Sequence, residues 1–421
     1  MSKYTIIKCG RLYTGRTDEV LSDMMILVEN DRIKEVDKTV TSVPGADWID
    51  LSDAFVTPGL IDAHVHYSFT EWRTRMRDSV YEAPIYHGMY ALHNAKKSLA
   101  RGFTAVRHCG SNCDDDYSIV TAKRLIEAGH YDGCRMVVAP HYLSTTCGHG
   151  DYSKLAKTNP ALADFIWQNY PGRGSGPDEF REVVRRQVKY GADFIKIFAS
   201  GGFNSEGDGP EMVTFTDEEL KTIIDTAHMM HKKVSSHTYG PDLVLKQVGM
   251  GIDCIEHGAL IRDPSILTLM KEKGVDFVPT FTPYEGIIHP DEENIKSQTP
   301  GMQRKLRYYG DWLREAREVI VASDIDLGYG TDLVSVHYPY ESGWEFYNMV
   351  RSGIAPLRAL AGATRINAKI LQMENEIGAA APGYFADIAA WKRDPLTDPT
   401  ALLDCAFCMK GGKVFKTEVD V

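Results

Sequence analysis

A chain of 421 residues with a net charge of -11, 43% hydrophobic and 25% charged residues can bury a large core and is too apolar for disorder. The acidic balance, without any clustered Lys/Arg run, excludes an electrostatic footprint for nucleic acid. No apolar run approaches the ~20 residues of a membrane helix, and the apolar length in Met1–Lys8 is too short for a secretory signal, so the expected location is cytoplasmic, away from membranes.

Residues 4–57 read as short strands, Tyr4–Cys9, Met24–Val28, Arg32–Val36, Trp48–Leu51 and Ala54–Thr57, separated by Gly, Asn-Asp and Pro-Gly turn signals. The pattern returns in Asp387–Trp391, Cys405–Met409 and Lys413–Thr417, around the turn pair Gly411-Gly412. The two ends therefore predict one small β-sandwich domain made by residues 1–57 and 373–421, with residues 58–372 inserted as a second domain.

Between the ends, strand and helix alternate, the signature of a parallel α/β fold. The strand candidates are Leu60–His66, Thr104–Cys109, Arg135–His141, Phe194–Ala199, Lys233–His237, Cys254–His257, Asp276–Phe281 and Asp326–Gly330. Helical patterns follow most of them: Met89–Ala100, Ser118–Ala128, Asp178–Tyr190, Asp217–His231, Pro264–Lys273, Met302–Ser323 and Ala355–Leu371. Eight βα repeats in about 310 residues predict a (β/α)8 TIM barrel. A doubly wound sheet is the alternative, and it lacks a Gly-x-Gly-x-x-Gly after the first strand. Two long connections, Leu143–Gly176 and Thr282–Pro300, belong on the C-terminal face of such a barrel. The first, with its glycines and aromatics, is expected to act as a lid.

Histidines and one lysine cluster at the predicted strand ends. His64 and His66, two apart on a strand, project from one face and can offer two imidazoles to one metal ion. Lys196 on the fourth strand, His237 on the fifth, His257 on the sixth and Asp332 after the eighth contribute from the same rim. Four imidazoles, a carboxylate and a lysine make sense together around two divalent ions, and imidazole suits zinc, manganese, iron or cobalt. Lys196, flanked by Phe194, Ile195, Ile197 and Phe198, would lose hydration as an ammonium, and a neutral amine can take up CO2 to give a carbamate that bridges two cations. Pairing with a buried acid, or Schiff-base chemistry, are the other uses of a buried lysine. Glu256, next to His257, is expected to face the other side of its strand in a structural role, and His228 and His231 to be surface or packing residues. Eight cysteines without a secretory signal read as reduced thiols, and Cys405-Ala-Phe-Cys408 lacks the second pair of a zinc knuckle.

These residues resemble the amidohydrolase superfamily of the binuclear type. The likeness rests on Pro58-Gly59-Leu60-Ile61-Asp62-Ala63-His64-Val65-His66, Lys196, Ser235-Ser236-His237, Ile255-Glu256-His257-Gly258, Gly330-Thr331-Asp332 and the C-terminal run from Leu357 to Ala368 with Pro382–Ile388, and it spans essentially the whole chain. Gly148-His149-Gly150 and Ser236-His237-Thr238-Tyr239 are most similar to prolidase and carboxypeptidase-type members related to imidazolonepropionase, some of which open ochratoxin-like amides. The resemblance implies one ion on His64, His66 and Asp332, a second on His237 and His257, zinc as the expected metal, and carboxylated Lys196 bridging the two ions. It implies a hydroxide between the ions as nucleophile, Asp332 moving its proton to the leaving amine, and His149 polarising the carbonyl.

Tyr239 and His337 are candidate substrate contacts. The expected activity is hydrolysis of the amide of a dipeptide or N-acyl amino acid, and the expected partners are that small molecule and a second copy of the chain. A cyclic amide or imine substrate, a non-catalytic scaffold and a Schiff-base lyase are the rival readings.

Overall fold

The computed structural model describes residues 2–70, 78, 82–111, 117–156, 158–203, 205, 207–289, 292–297, 299–333 and 337–418. Lys157 in the first long connection, and Pro290, Asp291 and Gln298 in the second, lie outside the described residues. In chain order come β1 (Tyr4–Tyr13), β2 (Val20–Glu29), β3 (Arg32–Asp37) and β4 (Asp47–Pro58). The barrel strands follow: β5 (Leu60–Val65), β6 (Phe103–Ser111), β7 (Arg135–Leu143), β8 (Ile195–Phe198), β9 (Val234–Thr238), β10 (Cys254–His257) and β11 (Asp276–Val278). The chain closes with β12 (Ile388–Trp391), β13 (Phe407–Lys410) and β14 (Lys413–Thr417).

Both chain ends build one sheet, in the order β14-β13-β12-β4-β1-β2-β3. The expected sandwich is thus one hydrogen-bonded sheet of seven strands, in which Ile7, Cys9, Ile26, Val56, Ile388 and Phe407 share a core. Its continuity comes from β4. The two short strands expected at Trp48–Leu51 and Ala54–Thr57 are one, because a register shift between Cys9 and Arg11 of β1 absorbs the polar Ser52-Asp53 step. The far end of β4 then pairs with β12.

β5 to β11 pair in sequence order, each parallel to its neighbours, as a right-handed βα succession requires. Their outward residues, such as Val106, Ile197 and Ile255, pack with Leu92, Ile119, Val184, Ile223, Val244 and Leu267 of the surrounding helices. Several of those helices open on a proline in the first turn, at Pro84, Pro177, Pro241, Pro264 and Pro300. Asp217–Met229 starts instead on a capping box between Thr216 and Glu219.

The eighth strand position departs from expectation. Asp326–Gly330 carries no regular ladder, yet the segment fills the gap between β11 and β5. Gly328 N–H donates to Phe277 O at 2.7 Å, Ala63 N–H to Tyr329 O at 2.8 Å and Asp332 N–H to His64 O at 2.8 Å. The remaining seam is held by a side chain: Asn367 Nδ2 donates to Ile61 O and Tyr329 O, both at 2.7 Å, and its Oδ1 accepts from Tyr329 N–H at 3.0 Å. Asn367 follows a π turn at Gly362–Ile366, which splits the expected helix Ala355–Leu371 into Pro356–Ala361 and Asn367–Ile370. The connection after β7 also carries structure of its own, a 3-10 turn at Tyr152–Ala156 and the helix Pro160–Gln168.

Candidate active site

The C-terminal ends of β5, β9 and β10 bring four imidazoles together. Ring centroids lie 5.4 Å apart for His64 and His66, 5.0 Å for His64 and His257, and 4.5 Å for His237 and His257. Asp332 closes the group from the eighth position, with Oδ1 at 3.7 Å from His64 Nε2 and 3.4 Å from His66 Nε2. Close approach of the backbone makes this possible, since a Cβ on Gly330 would stand 2.7 Å from His64 Cβ. Lys196 of β8, fully buried, reaches the same interior, and its Nζ has no hydrogen-bond partner among the described residues.

Hydrogen bonds at the outer ring nitrogens decide which nitrogen each histidine presents. His66 Nδ1 donates to Gly110 O at 2.7 Å and His64 Nδ1 to the Glu256 carboxylate at 2.7 Å, so each turns the lone pair of Nε2 inward. His257 Nδ1 is bonded to Thr280 Oγ1 at 2.7 Å, and its buried Nε2 has no hydrogen-bond partner among the described residues. His237 is reversed: Nε2 donates to Gly201 O at 3.3 Å, leaving Nδ1 for the site. Burial, with the nearby charge of Lys196, lowers the His64 pKa to about 4. Burial and the neighbouring His257 keep His237 well below its ordinary value, and burial and the nearby His64 do the same for His257, so these rings are neutral lone-pair donors. Burial pushes the Asp332 carboxyl up, and the nearby positive charge of Lys196 opposes it.

Residues 55–415 match the amidohydrolase family. The chain belongs to that family. Among relatives of this amidohydrolase, ochratoxinase of Aspergillus niger is 27% identical over 441 aligned residues, which cover 99% of this chain and 87% of the relative. A solved Xaa-Pro dipeptidase with methionine bound in its active site superposes with a TM-score of 0.84 at 28% identity, covering 98% of this chain and all of the other. A prolidase complexed with N-methylphosphonate-L-proline gives a TM-score of 0.85 at 26% identity over 99% of this chain. The protein is therefore a hydrolytic enzyme of the amidohydrolase superfamily with a barrel fold.

Amidohydrolases generally use metal ions, and the residues of this one fit such a group. Ligands held about 2.1 Å from a tetrahedral ion stand about 3.4 Å from one another, close to the spacings of Asp332 Oδ1 from His64 and His66. Ligand atoms of His64, His257 and Asp332 lie within 4.8 Å of one another. The unpartnered buried atoms Lys196 Nζ and His257 Nε2 fit the same group, because buried polar atoms are costly unless satisfied.

The amidohydrolase also holds partners that sequence reasoning missed. Glu256 does not face away from the site. It accepts from His64, from Arg107 and from Ser235 inside the barrel. Strand alternation would send His257 outward if Glu256 points in, and a left-handed backbone at His257, φ +73°, lets both face the centre. Thr280 and Asp332, at φ +48° and +44°, share that rare conformation, so three non-glycine residues at one site carry backbone strain. Asp62, quoted in the sequence only as part of a motif, accepts from His64 N–H, Thr331 N–H, Thr331 Oγ1 and Ser342 Oγ, tying the first strand to the eighth position. Burial raises its pKa to about 6.

The surroundings of Lys196 also differ from expectation. Ile195 and Ile197 point outward into the helical layer, so the lysine sits among His64, His257 and Glu256, with the Phe198 ring 5.8 Å from its Nζ. His149 lies within the group: its ring stacks on His237 at 4.7 Å and meets Phe198 at 5.1 Å. Tyr239 packs on His257 and His237, with its hydroxyl 3.3 Å from that of Tyr284. His337 instead stacks on Trp344 at 4.6 Å and faces Glu341 at 3.6 Å. His228 pairs with Asp253 at the surface.

Proposed function

We propose that this amidohydrolase cleaves the amide bond of a dipeptide or N-acyl amino acid. The observation that carries the reading is the meeting of four ligand-ready imidazoles, Asp332 and an unpartnered Lys196 with His149 stacked against them. The dipeptidase with bound methionine and the prolidase with a phosphonate of proline support a substrate bearing an amino-acid carboxylate.

Two divalent ions, with zinc as the expected metal, would supply Lewis-acid activation of water and of the amide carbonyl. His64, His66 and Asp332 would hold one ion, His237 Nδ1 and His257 Nε2 the other, and Lys196, carboxylated at Nζ, would join the two. Asp332, kept ionised by its neighbours, takes the proton of the attacking water and hands it to the departing amine. His149 faces the carbonyl oxygen through Nε2 and stabilises the charge that develops there. Tyr239 borders the substrate on the side of His257. The test is metal analysis of purified protein together with a panel of N-acyl amino acids, Xaa-Pro dipeptides and cyclic amides, scored for released amine. About two ions per chain and turnover of the open-chain amides are the expected results. Turnover confined to cyclic amides would move the substrate assignment, and one ion or none would remove the paired centre.

A further inference from the structure

We propose that Asp208 is a positioning residue, which fixes the ring orientation of His149 and the proton on its Nδ1 and ties both to the seating of the connection after β7. The proposal rests on His149 as the residue facing the substrate carbonyl. Packing settles the plane of the ring and nothing more. His237 stacks on the ring with the tilted Phe198 beside it, and a Cβ on Gly202 would collide with it. A half-turn of an imidazole exchanges nitrogens for carbons of nearly the same size, so shape alone cannot choose which nitrogen meets the substrate. The choice falls to hydrogen bonds at Nδ1, whose partners are Ser205 Oγ at 3.0 Å and Asp208 Oδ2 at 3.3 Å. An ionised carboxylate only accepts, so Nδ1–H points to Asp208 and Nε2 is turned to the substrate side, where it can donate to the carbonyl oxygen only as the N–H of a ring carrying both protons, a charge that the Asp208 carboxylate faces.

Asp208 is built to stay charged in a dry place. Its side chain is fully buried, accepts from Ser205 Oγ, and lies 3.4 Å from Lys154 Nζ and 3.8 Å from Lys305 Nζ. Lys305 also donates to the carbonyl oxygens of Gly202, Ser205 and Asp208, at 2.7, 2.5 and 3.2 Å, which fastens the connection after β8, where Asp208 lies, to the helix Pro300–Ala322. Burial would push the Asp208 carboxyl up, but His149, Lys154 and Ser205 hold it well below the usual carboxylate range. Lys154 comes from the 3-10 turn Tyr152–Ala156 in the connection after β7. Its buried ammonium has no hydrogen-bond partner among the described residues, and Asp208 supplies an ion pair. One carboxylate therefore holds both the ring and the loop that follows it.

The test uses metal-loaded enzyme carrying Asp208→Asn, Lys154→Met and His149→Ala, alone and combined, with 15N-labelled histidine for NMR and an Xaa-Pro dipeptide as the kinetic probe. In wild type, Nδ1 of His149 should give the signal of a protonated nitrogen, assigned by its loss in His149→Ala. Asp208→Asn should shift that signal and lower kcat about 10- to 100-fold, with KM within about threefold and metal content unchanged. In the His149→Ala background the same substitution should cost nothing further, because the two residues act as one unit. An equal loss in both backgrounds would make Asp208 a structural hub and overturn the proposal. An undisturbed nitrogen signal in Asp208→Asn would overturn it as well. The signal needs no substrate, so it decides even if no dipeptide is cleaved. Lys154→Met should disturb the same signal, and an unchanged signal there would remove the tie to the loop.

Discussion

The two sheets of this molecule treat their interiors in opposite ways. The sheet made by the chain ends fills its inner face with Ile7, Ile26, Val56, Ile388, Phe407 and Met409, and alternation decides which way each side chain points. The barrel interior instead holds Arg107, Lys196, Glu256, Asp62 and the histidines, all buried. Buried charge is weak evidence for stability, because desolvation offsets much of what pairing returns. The contrast separates a part selected for packing from a part that gives up packing for chemistry.

The sharpest way to break the contrast is at Asp332. Asp332→Asn should keep an oxygen ligand but lose the proton acceptor, lowering kcat by about 100- to 10,000-fold with a smaller loss of metal. Paired kinetics and metal analysis check this, and a near wild-type kcat would reassign the proton transfer. Lys196→Ala should be inactive and poor in metal, and a short carboxylic acid such as propionate should restore part of the activity by filling the vacated bridge. Lys196→Arg should not respond to the acid, since guanidinium stays charged and occupies the space. Full activity of Lys196→Ala without added acid would refute the bridge.

The sheet should answer differently. Phe407→Ala is expected to cost about 3–5 kcal/mol of stability by urea titration while leaving metal content and kcat unchanged below the transition. A metal loss there would mean that the two sheets are not separable. The smallest effect is expected at Glu345, a buried barrel-side carboxylate that accepts from Phe281 N–H, Thr282 N–H and Thr282 Oγ1. Burial outweighs those bonds and raises its pKa from 4.5 to about 7. The folded state then binds the proton more tightly than the unfolded one. This group's contribution is fully present below about pH 4.5 and is lost as pH rises through about 7, at most about 3 kcal/mol in all. Urea midpoints between pH 4.5 and 7.5 should fall less steeply in Glu345→Gln than in wild type.

Much of the site was legible because its signals are local. His64 and His66 two apart at a strand end, and His237 at the end of an apolar run, need only the period of a strand to be placed. What stayed hidden depends on partners far apart in sequence or on broken periods. Glu256 facing His64 requires the positive φ of His257, which no alternation rule contains. The barrel seam rests on one amide, Asn367, delivered by a π turn inside what reads as a single helix. The β-domain appeared as two strand clusters with similar patterns, but the run of β4 as one strand depends on a bulge within it, opposite Gly10 of β1.

The pairing of β4 with β12 has a consequence for how the protein is made. Pro58 meets Ile388, so the edge of β4 from Phe55 to Pro58 waits for its partner while the whole barrel is translated. At about 5–20 residues per second, that wait is on the order of tens of seconds on the ribosome. Throughout it, an apolar strand edge stands open in a nascent chain, a template for pairing with any other extended segment. The barrel strands pair with neighbours in sequence order and can close meanwhile. The sheet that looks like the simplest part of the molecule is therefore the last to be completed.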